Sequence, residues 1–277
     1  MSDATRDTSE RVTPGRQVSL RQHVLYLRHL FAYEYAKSQI PRQARVVEVG
    51  CGDGYGADIL SRHIDRMVGL DVDERVVEHA TKRYASENCS FRAYDGVRIP
   101  YPDGSFDAAL SFQVIEHVED DSHYVAEIRR VLASSGVLYL TTPNRLLRVA
   151  AGKKPWNQYH LREYTAPDLE AVLRPAFAEV QIRGVRATDE VEQIEHERLR
   201  EIRKMVAFDP LNLRSRIPEP VKQWIGRLVE GRKRGKDAAA SQGGASDPFD
   251  QFGVSDYRVS AGDFERGLDL LAVCRAH

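Results

Sequence analysis

The residues best suited to chemistry begin at Glu48, inside the run Arg45 to Asp73, RVVEVGCGDGYGADILSRHIDRMVGLDVD. Val46, Val47 and Val49 make a short apolar run of the kind a buried parallel strand carries. The run breaks into Gly50-Cys51-Gly52-Asp53-Gly54-Tyr55-Gly56, and a helical pattern follows. A second apolar run, Met67 to Leu70, ends on Asp71. Glycines let a backbone turn sharply and come within contact distance of a ligand. A carboxylate at the tip of the next strand can take both hydroxyls of a ribose. Together these features point to a nucleoside-containing ligand. A dinucleotide fits poorly, because G-x-G-x-x-G requires glycine where Tyr55 stands. Glu48 also opposes pyrophosphate, since a carboxylate under the loop repels phosphate.

Read as E-x-G-x-G-x-G, Glu48 to Gly54 resembles motif I of the class I S-adenosylmethionine (SAM) methyltransferases. The later stretch PYPDGSFDAALSFQVIEHVED, ending at Asp120, resembles motif IV and the following loop of the small-molecule members. The resemblance covers about residues 20–185 plus the last strand. It implies SAM as cofactor, whose ammonium and sulfonium groups Glu48 would attract. It further implies that Gly50, Cys51, Gly52, Gly54, Asp71, Val72, Phe112 and Gln113 line the cofactor. Asp95, followed by Gly96, stands at the third strand end, where the family holds the adenine amino group.

Methyl transfer to a hydroxyl needs the acceptor about 3 Å from the methyl and a base for its proton. His117, beside Glu116 in Gln113-Val114-Ile115-Glu116-His117, lies just past strand four and qualifies by position. His160 is the second candidate, in the aromatic and polar loop WNQYHLREYT after strand five. That loop resembles the N-x-Y-H-x-R-E-Y segment of methyltransferases in polysaccharide and glycolipid pathways. Trp156 and Tyr159 can stack on a sugar ring. Arg162 and Tyr164 either meet substrate or, with Glu163, form a clamp before the helix that begins near Pro167, and His29 is a further substrate candidate. Some O-methyltransferases similar to this chain hold a divalent ion through E-x-x-E-H and a later histidine. Here that set would be Glu116, His117 and His160, but Gln113 replaces the first carboxylate. Hard cations favour carboxylates, so a direct histidine base is expected and Mg2+ is not favoured.

The elements that must position these groups alternate. Leu20, Val24, Leu27 and Phe31 mark one face of a helix over about 16–38, with Tyr33 and Tyr35 in the core and Arg28 and His29 at the solvent face. Strands are expected at 44–50, 67–72, 90–94, 106–112, 136–142, 178–185 and 268–276, and a helix at 55–64. The spacing gives a doubly wound α/β sheet. The resemblance makes it a Rossmann-like seven-stranded sheet with the last strand inserted antiparallel.

The expected organisation is a disordered tail over 1–15, a SAM-binding core with its N-terminal helix over 16–185, a helical and flexible insertion over 186–260 acting as lid or dimer surface, and the final strand over 261–277. The insertion carries helical patterns at 188–206 and 218–230. Its basic stretch, Lys222 to Lys236, reads as a solvated face.

The chain has 277 residues, 42% hydrophobic and 29% charged, the balance of a soluble globular enzyme. A formal net charge of -1 gives no pull toward nucleic acid or membrane. Three cysteines without metal spacing suggest reduced thiols and a cytoplasmic setting. No apolar run suits a signal peptide or a membrane span. The expected function is SAM-dependent O-methylation of a sugar, oligosaccharide or glycosylated metabolite, such as an actinobacterial methylated polysaccharide precursor, with a homodimer as one possible assembly. The alternatives are a phenolic or quinone-type acceptor, an RNA ribose, a non-catalytic SAM-binding protein and a nucleotide oxidoreductase.

Overall fold

The computed structural model describes residues 14, 15, 17, 19–148, 155, 157, 159–207 and 249–276. The candidate helix at 218–230 and the basic stretch lie outside them.

Helix α1, Leu20–Gln39, starts where the Ser19 side chain accepts a hydrogen bond from Gln22 N, supplying one of the partners a helix start lacks. Strand β1, Arg45–Val49, leads through the glycine loop into α2, Tyr55–Ser61, which is one turn shorter than its sequence pattern suggests. Then come β2 (Arg66–Asp71), α3 (Glu74–Tyr84, capped by the Asp73 side chain) and β3 (Cys89–Ala93). Strand β4, Phe106–Phe112, is followed by α4, Asp121–Val131, and by β5, Leu132–Pro143. A single turn, α5 (Arg145–Arg148), precedes α6 (Ala166–Leu173), which opens on a reciprocal Thr165–Asp168 capping box. The chain ends with β6 (Glu179–Ala187), α7 (Asp189–Ala207), β7 (Tyr257–Ser260) and β8 (Asp269–Arg275).

The strand order is β3-β2-β1-β4-β5-β8-β6-β7. Strands β1 to β5 run parallel, and β8 lies antiparallel between β5 and β6. The last strand therefore sits where the family resemblance put it. An eighth strand, β7, joins the edge antiparallel to β6; its four residues carry too little pattern to be read as a strand from sequence. The order reverses between β1 and β4. In doubly wound sheets the crevice at the carboxyl ends of such strands is where ligands bind.

Apolar residues fill both faces of the sheet. On one side Val125, Ile128, Leu169, Leu173 and Phe177 join a cluster with Val47, Val49, Leu138 and Leu140. On the other, Ala32, Tyr33, Ala36, Ala57 and Leu60 cluster with Val46, Met67 and Leu110. A third cluster joins α1 to the far edge through Val24, Leu27, Val185, Val191, Tyr257 and Leu271.

Arg28 corrects its expected exposure. It is only 5% exposed and ion-pairs with Glu195 of α7 and Asp269 of β8, at 3.4 and 3.2 Å. A guanidinium can be buried when carboxylates meet it, and those partners come from remote segments.

Candidate functional site

The glycine loop is held by short backbone bonds. Gly50 N and Cys51 N both donate to Leu70 O, at 2.7 and 2.9 Å. Gly50 adopts φ +84°, and a Cβ there would stand 2.5 Å from Cγ2 of Val114. Glycine is therefore required twice over, by conformation and by contact. The same contact presses the loop against the residues that follow β4, so the two halves of the site touch.

Tyr33 of α1 closes the loop from above. A Cβ on Gly56 would lie 2.0 Å from the Tyr33 ring. The phenol donates to Glu48 Oε1 at 2.6 Å. Glu48 is 1% exposed, and its carboxyl is pushed up to about 8. Burial is the main cause; the Tyr33 bond opposes it and the nearby Asp71 adds to it. The other oxygen, Oε2, is buried with no hydrogen-bond partner among the described residues. Such a group welcomes a cation, which restores the charge that burial suppresses.

Asp71 has its carboxylate fixed by two backbone donors, Gly52 N at 2.9 Å to Oδ2 and Asp73 N at 3.0 Å to Oδ1. Each oxygen keeps a lone pair for a ribose hydroxyl. No heavy atom lies within 4 Å of the point a Cβ on Gly52 would occupy, so the loop leaves an open cradle. Asp95 accepts from Val97 N and Arg98 N at 2.9 and 2.8 Å, and these bonds hold its carboxyl below the usual range. Val72, beside Asp71, and Val97, beside Gly96, are exposed at 62% and 59%. They offer apolar surface next to the two acids, as an adenine would need. The orphaned Glu48 oxygen, the cradle at Gly52 and these acids fit SAM.

Past Phe112 the chain turns abruptly. Gln113 has φ +58°, the only positive φ among described residues other than glycine. That conformation costs about 1–2 kcal/mol. Bonds to β5 hold it there: Gln113 N to Thr141 O at 2.9 Å and Nε2 to Thr141 Oγ1 at 3.2 Å. The kink throws Ile115–His117 into one 3-10 turn. Glu116 is fully buried, and Oε2 accepts from Thr142 Oγ1 at 3.0 Å. Its carbonyl accepts from Leu161 N at 2.9 Å, which draws the later loop onto the turn.

His117 Nδ1 lies 2.9 Å from the Tyr159 carbonyl. A carbonyl only accepts, so Nδ1 carries the proton and, in the neutral ring, Nε2 carries the lone pair. His160 Nδ1 lies 2.8 Å from Glu163 Oε1, and the same reasoning leaves its Nε2 basic. The two rings meet edge to face with centroids 4.8 Å apart. One ligand atom each from Glu116, His117 and His160 lies within 4.8 Å of the others. The adjacent pair Glu116 and His117 thus converges with His160, 43 residues further along the chain. Two imidazoles and a carboxylate can hold a divalent cation, and the two nitrogen ligands suit a first-row metal ion such as Mn2+, Co2+ or Zn2+ better than Mg2+.

Other residues picked from sequence have different surroundings. Arg162 pairs with Asp121 at 2.7 Å and donates to Glu119 O at 2.6 Å. Tyr164, 3% exposed, donates to the same Asp121 at 2.8 Å. Both clamp the loop to α4. His29 is half-buried on α1, and Tyr159 is half-buried with its amide bonded to Asn157 Oδ1. Trp156 lies outside the described residues. Sequence reading missed Tyr33 as the partner of Glu48 and missed Thr142; it placed Glu163 in a clamp with Arg162 and Tyr164 and missed its bond to His160. Only Glu163 carried a local signal, its spacing of three from His160.

Residues 47–140 match the family model described as "Methyltransferase domain". A chain from Mycolicibacterium smegmatis (strain ATCC 700084 / mc(2)155), named "Probable S-adenosylmethionine-dependent methyltransferase", is 36% identical over 174 residues, which is 63% of this chain and 65% of that one. The "27-O-demethylrifamycin SV methyltransferase" of Amycolatopsis mediterranei (strain S699) is 31% identical over 153 residues, 49% of this chain and 56% of the relative. The chain therefore spans less than two thirds of the length of these relatives. Among solved structures, the [4+2]-cyclase SpnF superposes with a TM-score of 0.55 at 20% identity, over 89% of this chain and 80% of that one. This likeness shows the fold.

Proposed function

We propose that this chain, which carries a class I methyltransferase domain over residues 47–140, transfers a methyl group from SAM to a hydroxyl of a sugar, oligosaccharide or glycosylated metabolite. The observation that carries the reading is the convergence of Glu116, His117 and His160 beside the glycine loop. Bound SAM supplies a methyl activated by its sulfonium. Asp71 holds the ribose, Asp95 stands ready for the adenine amino group, and Glu48 supplies negative charge to the cationic end. Nε2 of His117 or His160 takes the acceptor proton as oxygen gains the methyl group, a role worth about 10²–10⁴ in rate. Glu116 steadies the positive charge that the imidazole then bears.

The sugar acceptor rests on the polar loop that carries Tyr159 and His160. The Amycolatopsis relative, whose name specifies an O-demethyl acceptor, supports an oxygen acceptor more generally. A cytoplasmic setting agrees with three free, buried cysteines, Cys51, Cys89 and Cys274. No helix among the described residues is long and apolar enough to cross a membrane.

The three-residue cluster favours a second reading of the same site, in which Glu116, His117 and His160 hold a divalent cation that polarises the acceptor oxygen. The test is transfer of labelled methyl from SAM to oligosaccharides, catechols and RNA, each with chelator and with added Mn2+. Label in oligosaccharide that survives chelator supports the direct base, and label that chelator abolishes supports the cation. Label only in catechol or RNA overturns the sugar reading.

A further inference from the structure

Behind His160 lie buried polar groups that the proposed reaction does not itself use. His160 Nδ1 donates to Glu163 Oε1 at 2.8 Å, and both side chains are 0% exposed. The same carboxylate oxygen ion-pairs with Arg148, whose Nε lies 3.2 Å away on a side chain 4% exposed. The charge of Arg148 also acts on Glu195 and Asp269. These two acids are paired with Arg28 at 3.4 and 3.2 Å, and Glu195 further accepts from Arg198 at 2.8 Å. The contacts made at the imidazole thus run from His160 through Glu163 to Arg148 of α5. Burying so many charges is costly unless geometry is tightly kept, and here the geometry ends on one histidine ring.

We infer that Glu163, held in place by Arg148, is a positioning residue that fixes the tautomer and aim of His160, so that its Nε2 lone pair faces Glu116 and His117. The inference rests on the methyl-transfer reading for its consequence, but its structural content does not. A histidine ring in water is not held to the Nδ1–H form, and it favours Nε2–H. With Nδ1–H committed to a carboxylate, the lone pair of the neutral ring lies on Nε2, whether that atom takes a proton or binds an ion, so the requirement is the same with or without a metal. Glu163 touches no reacting atom and acts only through the ring. Arg148 sets where its carboxylate stands.

The test has two readouts on the full chain. The first is side-chain nitrogen NMR of His160, identified by loss of its signals in His160→Gln. It is recorded well above the ordinary imidazole pKa of about 6.5. The wild-type protein should show the Nδ1–H tautomer, and an Nε2–H tautomer overturns the inference without any need for a folded variant. The second is Glu163→Leu, which takes the acceptor away from Nδ1–H and releases the ring from the tautomer that the carboxylate holds. It should move the ring toward Nε2–H and lower kcat about 10- to 100-fold, with the Kd for SAM and the KM for acceptor unchanged. A variant that keeps the wild-type tautomer or the wild-type kcat overturns the inference. A wild-type protein that binds SAM but transfers no methyl group would defeat the proposed function, and the tautomer measurement would still decide the role of Glu163.

Discussion

Glu48 shows how one buried group can read the charge of a ligand. In the folded, ligand-free chain its carboxyl is held near 8, against an ordinary 4.5. The folded state therefore binds this proton more tightly than the unfolded chain. The associated stability is fully present below pH 4.5 and is lost as pH rises through about 8. Its upper size is on the order of 5 kcal/mol. A cation arriving beside Oε2 favours the carboxylate, so SAM binding near neutral pH should release a proton. Calorimetry in buffers of different ionisation enthalpy reads that proton directly. The expected result is a buffer-dependent binding enthalpy that disappears in Glu48→Gln, and an enthalpy independent of buffer in the wild-type protein would contradict it. Much of this residue-scale chemistry is legible in the sequence: Glu48 and Asp71 declare themselves by their offsets from the glycines, and His117 by its place after a strand. The Tyr33–Glu48 bond is not legible, because it depends on the angle at which α1 crosses the loop.

At the scale of elements, α1 and the glycine loop form one unit. The Tyr33 ring lies where any side chain on Gly56 would go and packs edge to face against Tyr55 and Phe112. Gly56→Ala must displace that ring, which costs about 1–3 kcal/mol as overpacking. The displacement should also break the bond to Glu48 and weaken SAM binding. Gly52→Ala meets open space instead and should leave stability within about 1–2 kcal/mol of the parent, while its methyl intrudes on the cradle and reduces SAM affinity. Chemical denaturation paired with SAM titration checks both. Loss of affinity in Gly52→Ala without comparable loss of stability is the expected contrast, and unchanged affinity would place the cofactor elsewhere. The strands around this unit were legible because buried parallel strands are continuous apolar runs, as β1, β2 and β4 are. The β7 strand was not, since edge pairing over four residues leaves no such run.

Across the whole molecule, segments far apart in sequence are held together by charge. Arg28 sits between Glu195 and Asp269 with all three side chains at most 4% exposed. The charge of Arg28 helps hold the Glu195 carboxyl below its ordinary value although burial opposes it, whereas burial dominates at Asp269 and pushes its carboxyl up. Removing the arginine leaves two carboxylates buried beside each other. Arg28→Ala should therefore cost about 3–5 kcal/mol, more than a surface arginine, and urea unfolding measures it. A loss below about 1 kcal/mol would mean the pairs contribute little. Sequence composition could not foresee this arrangement, because an arginine is ordinarily exposed and its partners enter only when α7 and β8 fold back onto α1. The likeness to a [4+2]-cyclase of the same fold makes the same point about function: the fold sets out a crevice, and the side chains brought into it decide the chemistry.

The most direct test of the central claim is the rate of labelled methyl transfer by His117→Ala and His160→Ala, set against their affinity for SAM. The account predicts that both variants bind SAM as the parent does and that at least one loses about 10²-fold or more in turnover. Wild-type turnover in both would contradict it, and would remove the Glu116–His117–His160 cluster from the reaction.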